Sequence, residues 1–243
     1  MIRIENLTKK YKDFSIENIS FQILKDELIA FVGDNGAGKT TTIKAIFDLI
    51  KRDGGEIYYN NESLFSNSNL TKIAFFPDSN NIPLELTVLD YMEYIAAVTS
   101  LGKKEFYARS ENILEMLEFR DAKKKKLKNL SAGMKKRAVM AAILVSKPEF
   151  IILDEPTANL DVEAKIEFIE LIKKLHEKGV GILITSHIIE ELQEVANKLI
   201  IIKKGKLVFN EKIDNKNISI KEIYLKFKDD KESKLGGLDK IYE

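Results

Sequence analysis

The chain has no cysteine among its 243 residues. Disulfides and thiolate–metal sites are therefore excluded, and a reducing compartment suits it. It has no charge excess either, with 39 Lys+Arg against 38 Asp+Glu. No global field draws such a protein onto nucleic acid or acidic lipid, so a nucleic-acid partner is not expected. Long apolar runs are missing too. The longest runs only from Ala138 to Val145, whereas a membrane-spanning helix needs roughly 20 such residues. Met1 to Tyr11 carries charges where a secretory leader would need an apolar core, so export by that route is not expected. There is no internal repeat and no low-complexity linker. These absences lead to the expectation of a soluble, cytoplasmic chain long enough for a substantial core.

What is present is a phosphate-binding pattern. Residues 33 to 40 read Gly33-Asp34-Asn35-Gly36-Ala37-Gly38-Lys39-Thr40, a complete G-x-x-x-x-G-K-T. The apolar run Leu28 to Val32 precedes it, and the helix-permissive stretch Thr41 to Ile50 follows. In that order of strand, loop and helix, glycines let successive N–H groups converge on phosphate oxygens. The helix start adds its positive end, Lys39 reaches the β- and γ-phosphates, and the Thr40 hydroxyl suits Mg²⁺. The expected ligand is a nucleoside triphosphate, held by residues 33 to 41.

Apolar alternation in the first 32 residues, at Ile2 and Ile4 and again at Ile16, Ile19, Phe21 and Ile23, predicts short strands. Ile73 to Phe76 reads as a strand ended by Pro77. From Thr87 to about Leu117 the spacing becomes helical, with Val88, Tyr91, Ile95 and Val98 as one stripe and Ile113, Leu114 and Leu117 as another. Helix is expected again from about Gly133 to Val145. Beyond Pro148, strands at Phe150–Leu153, Gly181–Thr185, Leu199–Ile202 and Leu207–Phe209 alternate with helices at Val162–Lys178 and Ile188–Ala196. Such alternation predicts a mainly parallel sheet. The helix-rich stretch from about 85 to 145 reads as an inserted subdomain. Residues 1–228 are expected to form one ATPase domain, and 229–243 a loosely held, charged tail.

Phe150 to Thr157 places two carboxylates at the end of an apolar run, the edge where ligands bind to a parallel sheet. Asp154 can hold Mg²⁺. Glu155 can point at a water attacking the γ-phosphate and accept its proton. Leu130-Ser131-Ala132-Gly133-Met134, followed by Lys135-Lys136-Arg137, offers a hydroxyl and an N–H at a second helix start, either an anion site or an ordinary serine cap. Of the two histidines, His176 lies among charged helix residues and reads as a solvated bystander. Lys123 to Lys126 reads as a solvated loop.

Taken together, these residues resemble the ATP-binding-cassette (ABC) ATPases, and the resemblance runs from Met1 to about Asn210. It implies an α/β fold: a P-loop NTPase core with an N-terminal antiparallel β portion and an inserted helical subdomain. It implies that Tyr11 stacks on adenine, that Ala158 to Asp161 form a dimer-interface loop, and that His187 contacts the γ-phosphate. It implies ATP and Mg²⁺ as ligands and a head-to-tail dimer with a second copy or a related subunit. In that dimer Ser131 and Gly133 face the partner's nucleotide. A polytopic membrane permease would be the driven partner, holding the chain at the inner face of the cell membrane. Two positions depart from the family pattern. Ala132 stands where glycine is commonest. Asp78 stands where a glutamine usually links the Mg²⁺ site to the helical subdomain; it is either a metal ligand, the reading favoured here, or a solvated loop residue whose coupling function lies elsewhere. An acidic residue after Phe-Pro, together with Gly-Met-Lys-Lys-Arg, is similar to bacterial exporters of drugs and antimicrobial peptides. The alternative class is a soluble ABC ATPase driving macromolecular assembly, such as iron–sulfur cluster assembly.

Overall fold

The structure, a computed structural model, describes residues 1–77, 82–186, 188–214 and 217–228. Two sheets organise it. The outer one is antiparallel, with strands β1 (Ile2–Lys10), β2 (Ser15–Ile23), β4 (Gly54–Tyr59) and β5 (Glu62–Ser63) in the order β2-β1-β4-β5. The central one holds β3 (Leu28–Val32), β6 (Ile73–Phe76), β7 (Phe150–Asp154), β8 (Gly181–Thr185), β9 (Lys198–Lys203) and β10 (Lys206–Lys212). Their order is β10-β9-β3-β8-β7-β6, parallel except for the β9–β10 hairpin. This is the α/β P-loop architecture with an antiparallel β portion.

The central strands are apolar without alternation because both of their faces are covered. In β3, Leu28, Ala30 and Val32 belong to one core cluster, whereas Ile29 and Phe31 belong to the other. Strand β7 divides likewise, with Ile151 and Leu153 on one side and Phe150 and Ile152 on the other. The outer sheet and helix α1 (Lys39–Ile46) cover the second face. Most of the remaining helices cover the first: α2 (Val88–Val98), α3 (Lys103–Met116), α4 (Ala132–Val145), α5 (Val162–Glu177), α6 (Ile189–Gln193) and α7 (Ile220–Phe227). Helices α2 to α4 lie in sequence between β6 and β7, which are neighbours in the sheet, so the helical subdomain is an insertion between two adjacent strands.

Side-chain caps fix where α2, α4, α5 and α7 begin. Thr87 and Asp90 form a reciprocal capping box on α2, and Asp161 accepts from Ala164 N at 2.9 Å to start α5. The helical spacing from Thr87 to about Leu117 is carried by two helices, because the chain turns through Ser100, at φ 57°, before α3 starts. Two expectations are corrected. Val98 leaves the predicted stripe and is 61% exposed, its place in the core taken by Met92 and Ala96. Helix α1 stops at Ile46, short of Ile50, because Asp48 takes φ 55° and Leu49 turns outward.

His176 is corrected as well. It is half-buried at the end of α5, with Nδ1 3.4 Å from Val180 O and Nε2 3.5 Å from Asn197 Nδ2. Lys123 and Lys126 are ion-paired with Glu111 and Glu85 at the surface of the helical subdomain. Helix α7 escaped the sequence-based assignment, although Ile220, Ile223, Tyr224 and Phe227 carry its helical spacing. The expected tail, 229–243, lies outside the described residues.

Candidate functional site

The loop 33–38 leaves β3 in the middle of the central sheet, where β8 and β9 flank it. A side chain at Gly33 would place its first carbon 2.3 Å from Ile202 O, and Gly38 takes φ 114°, so both positions require glycine. Ala37 N donates to Asp34 O at 3.0 Å, curling the loop, and Gly205 N donates to Ala37 O at 2.9 Å from the β9–β10 turn. No side chain caps α1. Its first N–H groups are those a helix start offers to an anion. Lys39 is buried, with Nζ donating to Gly33 O at 2.7 Å and Asp34 O at 3.3 Å. Burial pushes its pKa down, while Glu155, Asp154 and Asp34 oppose that shift.

The loop opens onto a pocket of about 1150 Å³ lined by Tyr11, Phe14, residues 33 to 37, Lys203 and Tyr224, among others. Tyr11 is half exposed there, with Lys9 Nζ 5.4 Å from its ring centroid. Tyr224 reaches in from α7 and donates its hydroxyl to Asp34 Oδ1 at 2.6 Å. Burial and that carboxylate push the phenol up to about 12. Lys203 Nζ donates to Phe227 O at 2.6 Å, tying the end of α7 to β9.

The acidic pair sits at the end of β7, in register with the end of β8. Asp154 is 4% exposed and accepts at Oδ1 from the Thr185 hydroxyl at 2.8 Å. The same Thr185 oxygen accepts from Glu155 N at 2.9 Å. Glu155 takes φ 49°, which swings its side chain out of the strand line. Lys136, on α4, donates to the carbonyls of Glu155 and Pro156 at 3.1 and 2.6 Å. Thr157 donates to Glu191 of α6 at 2.6 Å.

Ser131 caps α4, its Oγ accepting from Met134 N at 3.2 Å. It shares a separate pocket of about 410 Å³ with Gly133, Asn159, Leu160 and Asp161. The sequence candidates thus fall into two groups: Tyr11, residues 33 to 41, Asp154 and Glu155 at the sheet edge, and Ser131 with Gly133 elsewhere. Asp78 and His187 lie outside the described residues. Thr185, Lys136 and Tyr224 are absent from the sequence-based candidates. Thr185 ends a buried strand beside the acidic pair's strand, a place where ligand-side residues collect. The other two act through tertiary contacts that leave no local pattern.

Among the described residues no cluster of three or more His, Cys, Asp or Glu could hold a metal ion alone. Mg²⁺ does not need one, because it keeps waters and binds through one or two oxygen ligands plus substrate phosphates. A buried Asp154 carboxylate and the Thr40 hydroxyl fit that role.

A glycine loop opening a helix beside a carboxylate pair at a parallel sheet edge defines a P-loop nucleoside triphosphatase. A family model described as "ABC transporter" matches residues 16–158. The SkfA peptide export ATP-binding protein SkfE of Bacillus subtilis is 31% identical over 209 residues, covering 86% of this chain and 87% of that protein. The xylose/arabinose import ATP-binding protein XylG of Sulfolobus acidocaldarius is 31% identical over 223 residues, covering 88% of each. The dimeric post-hydrolysis state of the ATP-binding cassette MJ0796, bound to ADP and Pi, matches with a TM-score of 0.77 at 28% identity. That match covers 88% of this chain and 99% of the other. The chain belongs to the ABC transporter family as an ATP-binding subunit, and it is an ATPase. No helix among the described residues is long and apolar enough to cross a membrane.

Proposed function

We propose that this subunit powers an exporter by closing head-to-tail against a second copy or a related subunit, with ATP held between them. One observation carries the reading. The pocket at the phosphate loop and the pocket at Ser131 and Gly133 share no lining residue. One chain therefore holds two half-sites facing different places, and a second chain can complete both. The dimeric MJ0796 cassette supports the arrangement.

In this reading Tyr11 stacks on adenine, and residues 33 to 41 hold the phosphates with Lys39 at the β/γ oxygens. Thr40, Asp154 and Asp78 would hold Mg²⁺, which supplies charge stabilisation on the phosphates when bound. Glu155 accepts a proton from water as that water's oxygen bonds to the γ-phosphorus. The bond from the γ-phosphorus to the bridging oxygen breaks, leaving ADP and phosphate. His187 contacts the γ-phosphate. Ser131 and Gly133 of the second chain neutralise the same group, which makes closure depend on the triphosphate and release follow hydrolysis. The driven partner is a polytopic membrane permease, which places the chain at the inner face of the cell membrane. Export is favoured by the Gly133 to Arg137 continuation and by the likeness to SkfE.

Glu155→Gln tests the mechanism. It removes only the base, so it keeps ATP binding, loses turnover, and runs as a dimer at saturating ATP in light scattering. A monomer under those conditions contradicts the closure mechanism.

A further inference from the structure

Three cations follow one another at the start of α4, and only one faces inward. Arg137 pairs at the surface with Glu118 and Glu167, and Lys135 is half exposed. Lys136 is 2% exposed. A buried ammonium is tolerated only where its donors are satisfied, and two of its acceptors are the carbonyls of Glu155 and Pro156, at 3.1 and 2.6 Å.

Those carbonyls belong to the turn that carries the acidic pair off β7. Glu155 sits at φ 49°, in the left-handed region, and a non-glycine residue stays there only where its surroundings hold it. Two holds are visible. Thr185 Oγ1 takes the Glu155 N–H at 2.9 Å on the strand side, and Lys136 takes the carbonyl on the exit side. With the peptide pinned at both ends, the direction of the Glu155 side chain is set by backbone.

We propose that Lys136 is a positioning residue for hydrolysis: its ammonium holds the Glu155–Pro156 turn so that the Glu155 carboxylate faces the attacking water. The proposal rests on Glu155 being the base. It gives α4 a second task, because the same helix begins at Ser131 and carries Gly133. The element that would meet the partner's nucleotide is thereby fastened to this chain's own base.

The test uses the full chain with Lys136→Met, which keeps length without a donor, and Lys136→Gln, which keeps a neutral donor with shorter reach. Lys136→Met is expected to lower kcat about 100-fold, the scale of an ångström-size misplacement of a reacting group. KM for ATP and the affinity for ADP should stay within about twofold, since an interaction that matters only during the chemical step shows in kcat. Lys136→Gln should recover part of the loss. In a Glu155→Gln background, Lys136→Met should lower the residual rate no further, because both changes act through one group. A folded Lys136→Met with wild-type kcat overturns the proposal, as does a parallel loss of kcat and ADP affinity. If Lys136→Met gives no cooperative melt, Lys136→Gln decides: full kcat overturns the proposal, reduced kcat at unchanged KM supports it. Undiminished turnover in Glu155→Gln alone would instead remove the base assignment on which the inference stands.

Discussion

Helices α1 and α4 both begin where an anion could sit, yet they are built differently. Helix α1 starts at Gly38 with no side-chain cap, on a loop whose lysine is buried and folded back on the loop's own carbonyls. Helix α4 starts at an exposed serine whose hydroxyl is engaged by its own helix, at Met134 N. The first is a finished receptor, held by the β9–β10 turn at Ala37 and by α7 through Tyr224. The second is a patch that shares a pocket with Asn159, Leu160 and Asp161 and, in the proposed dimer, would face the partner's nucleotide. On the proposed mechanism, this contrast would let one chain bind a nucleotide alone and hydrolyse it only with a second chain.

The largest effect that could break this contrast is at Lys39. Lys39→Ala should lower turnover about 10²- to 10³-fold and weaken ATP binding strongly in calorimetry, since on the proposed mechanism it removes the cation at the β/γ oxygens. Unchanged turnover would remove the distinction between the two helix starts. Gly133→Asp comes next. An added Cβ there would lie 3.7 Å from Ala164 Cβ and 3.8 Å from Leu160 Cδ2, ordinary contacts, so the chain should fold. The new carboxylate should block hydrolysis while ATP affinity stays within about twofold, since it would oppose only the closed state. Gly133→Ala serves as the folding control. Affinity lost as completely as in Lys39→Ala would mean that the patch serves its own chain's nucleotide.

The smallest effect sharpens the description of the finished receptor. The Tyr224 phenol is pushed up to about 12 by burial and by its bond to Asp34. Folding raises this pKa, so the contact adds stability below pH 10, the ordinary tyrosine value, and gives it up as pH rises through 12. In an alkaline titration followed by phenolate absorbance, the curve for Tyr224→Phe should differ from wild type only near pH 12. A difference centred near pH 10 would show that α7 does not hold the loop in solution.

How much of this was readable beforehand depends on how local each cause is. The phosphate loop is legible because backbone curvature needs glycines at fixed offsets, and those residues are adjacent. Strands β3, β7 and β8 are legible because burial on both faces removes polar positions altogether. The two stripes of α2 and α3 were legible, but the place of the break was not, since Ser100 turns the chain through a left-handed φ that its residue type does not announce. The contacts of Lys136, Thr185 and Tyr224 could not be read at all. Each joins segments far apart in the chain, and a lysine in a basic run looks like any solvated lysine. The arrangement of Glu155 was half legible: its chemistry follows from its place after Asp154, but its left-handed backbone does not.

The tie between Tyr224 and Asp34 spans 190 residues, and Gly205 closes on Ala37 only slightly earlier in the chain. During synthesis, then, the strand, loop and helix around residues 33 to 38 emerge well before the turn and helix that close on them. At about 5–20 residues per second that interval is roughly 10–40 s. A nascent chain displays its nucleotide loop long before it can use it. Loading with nucleotide, and the stabilisation that binding brings, then waits until α7 has emerged. A chain truncated before α7 should be recognisable by its failure to be rescued by ATP.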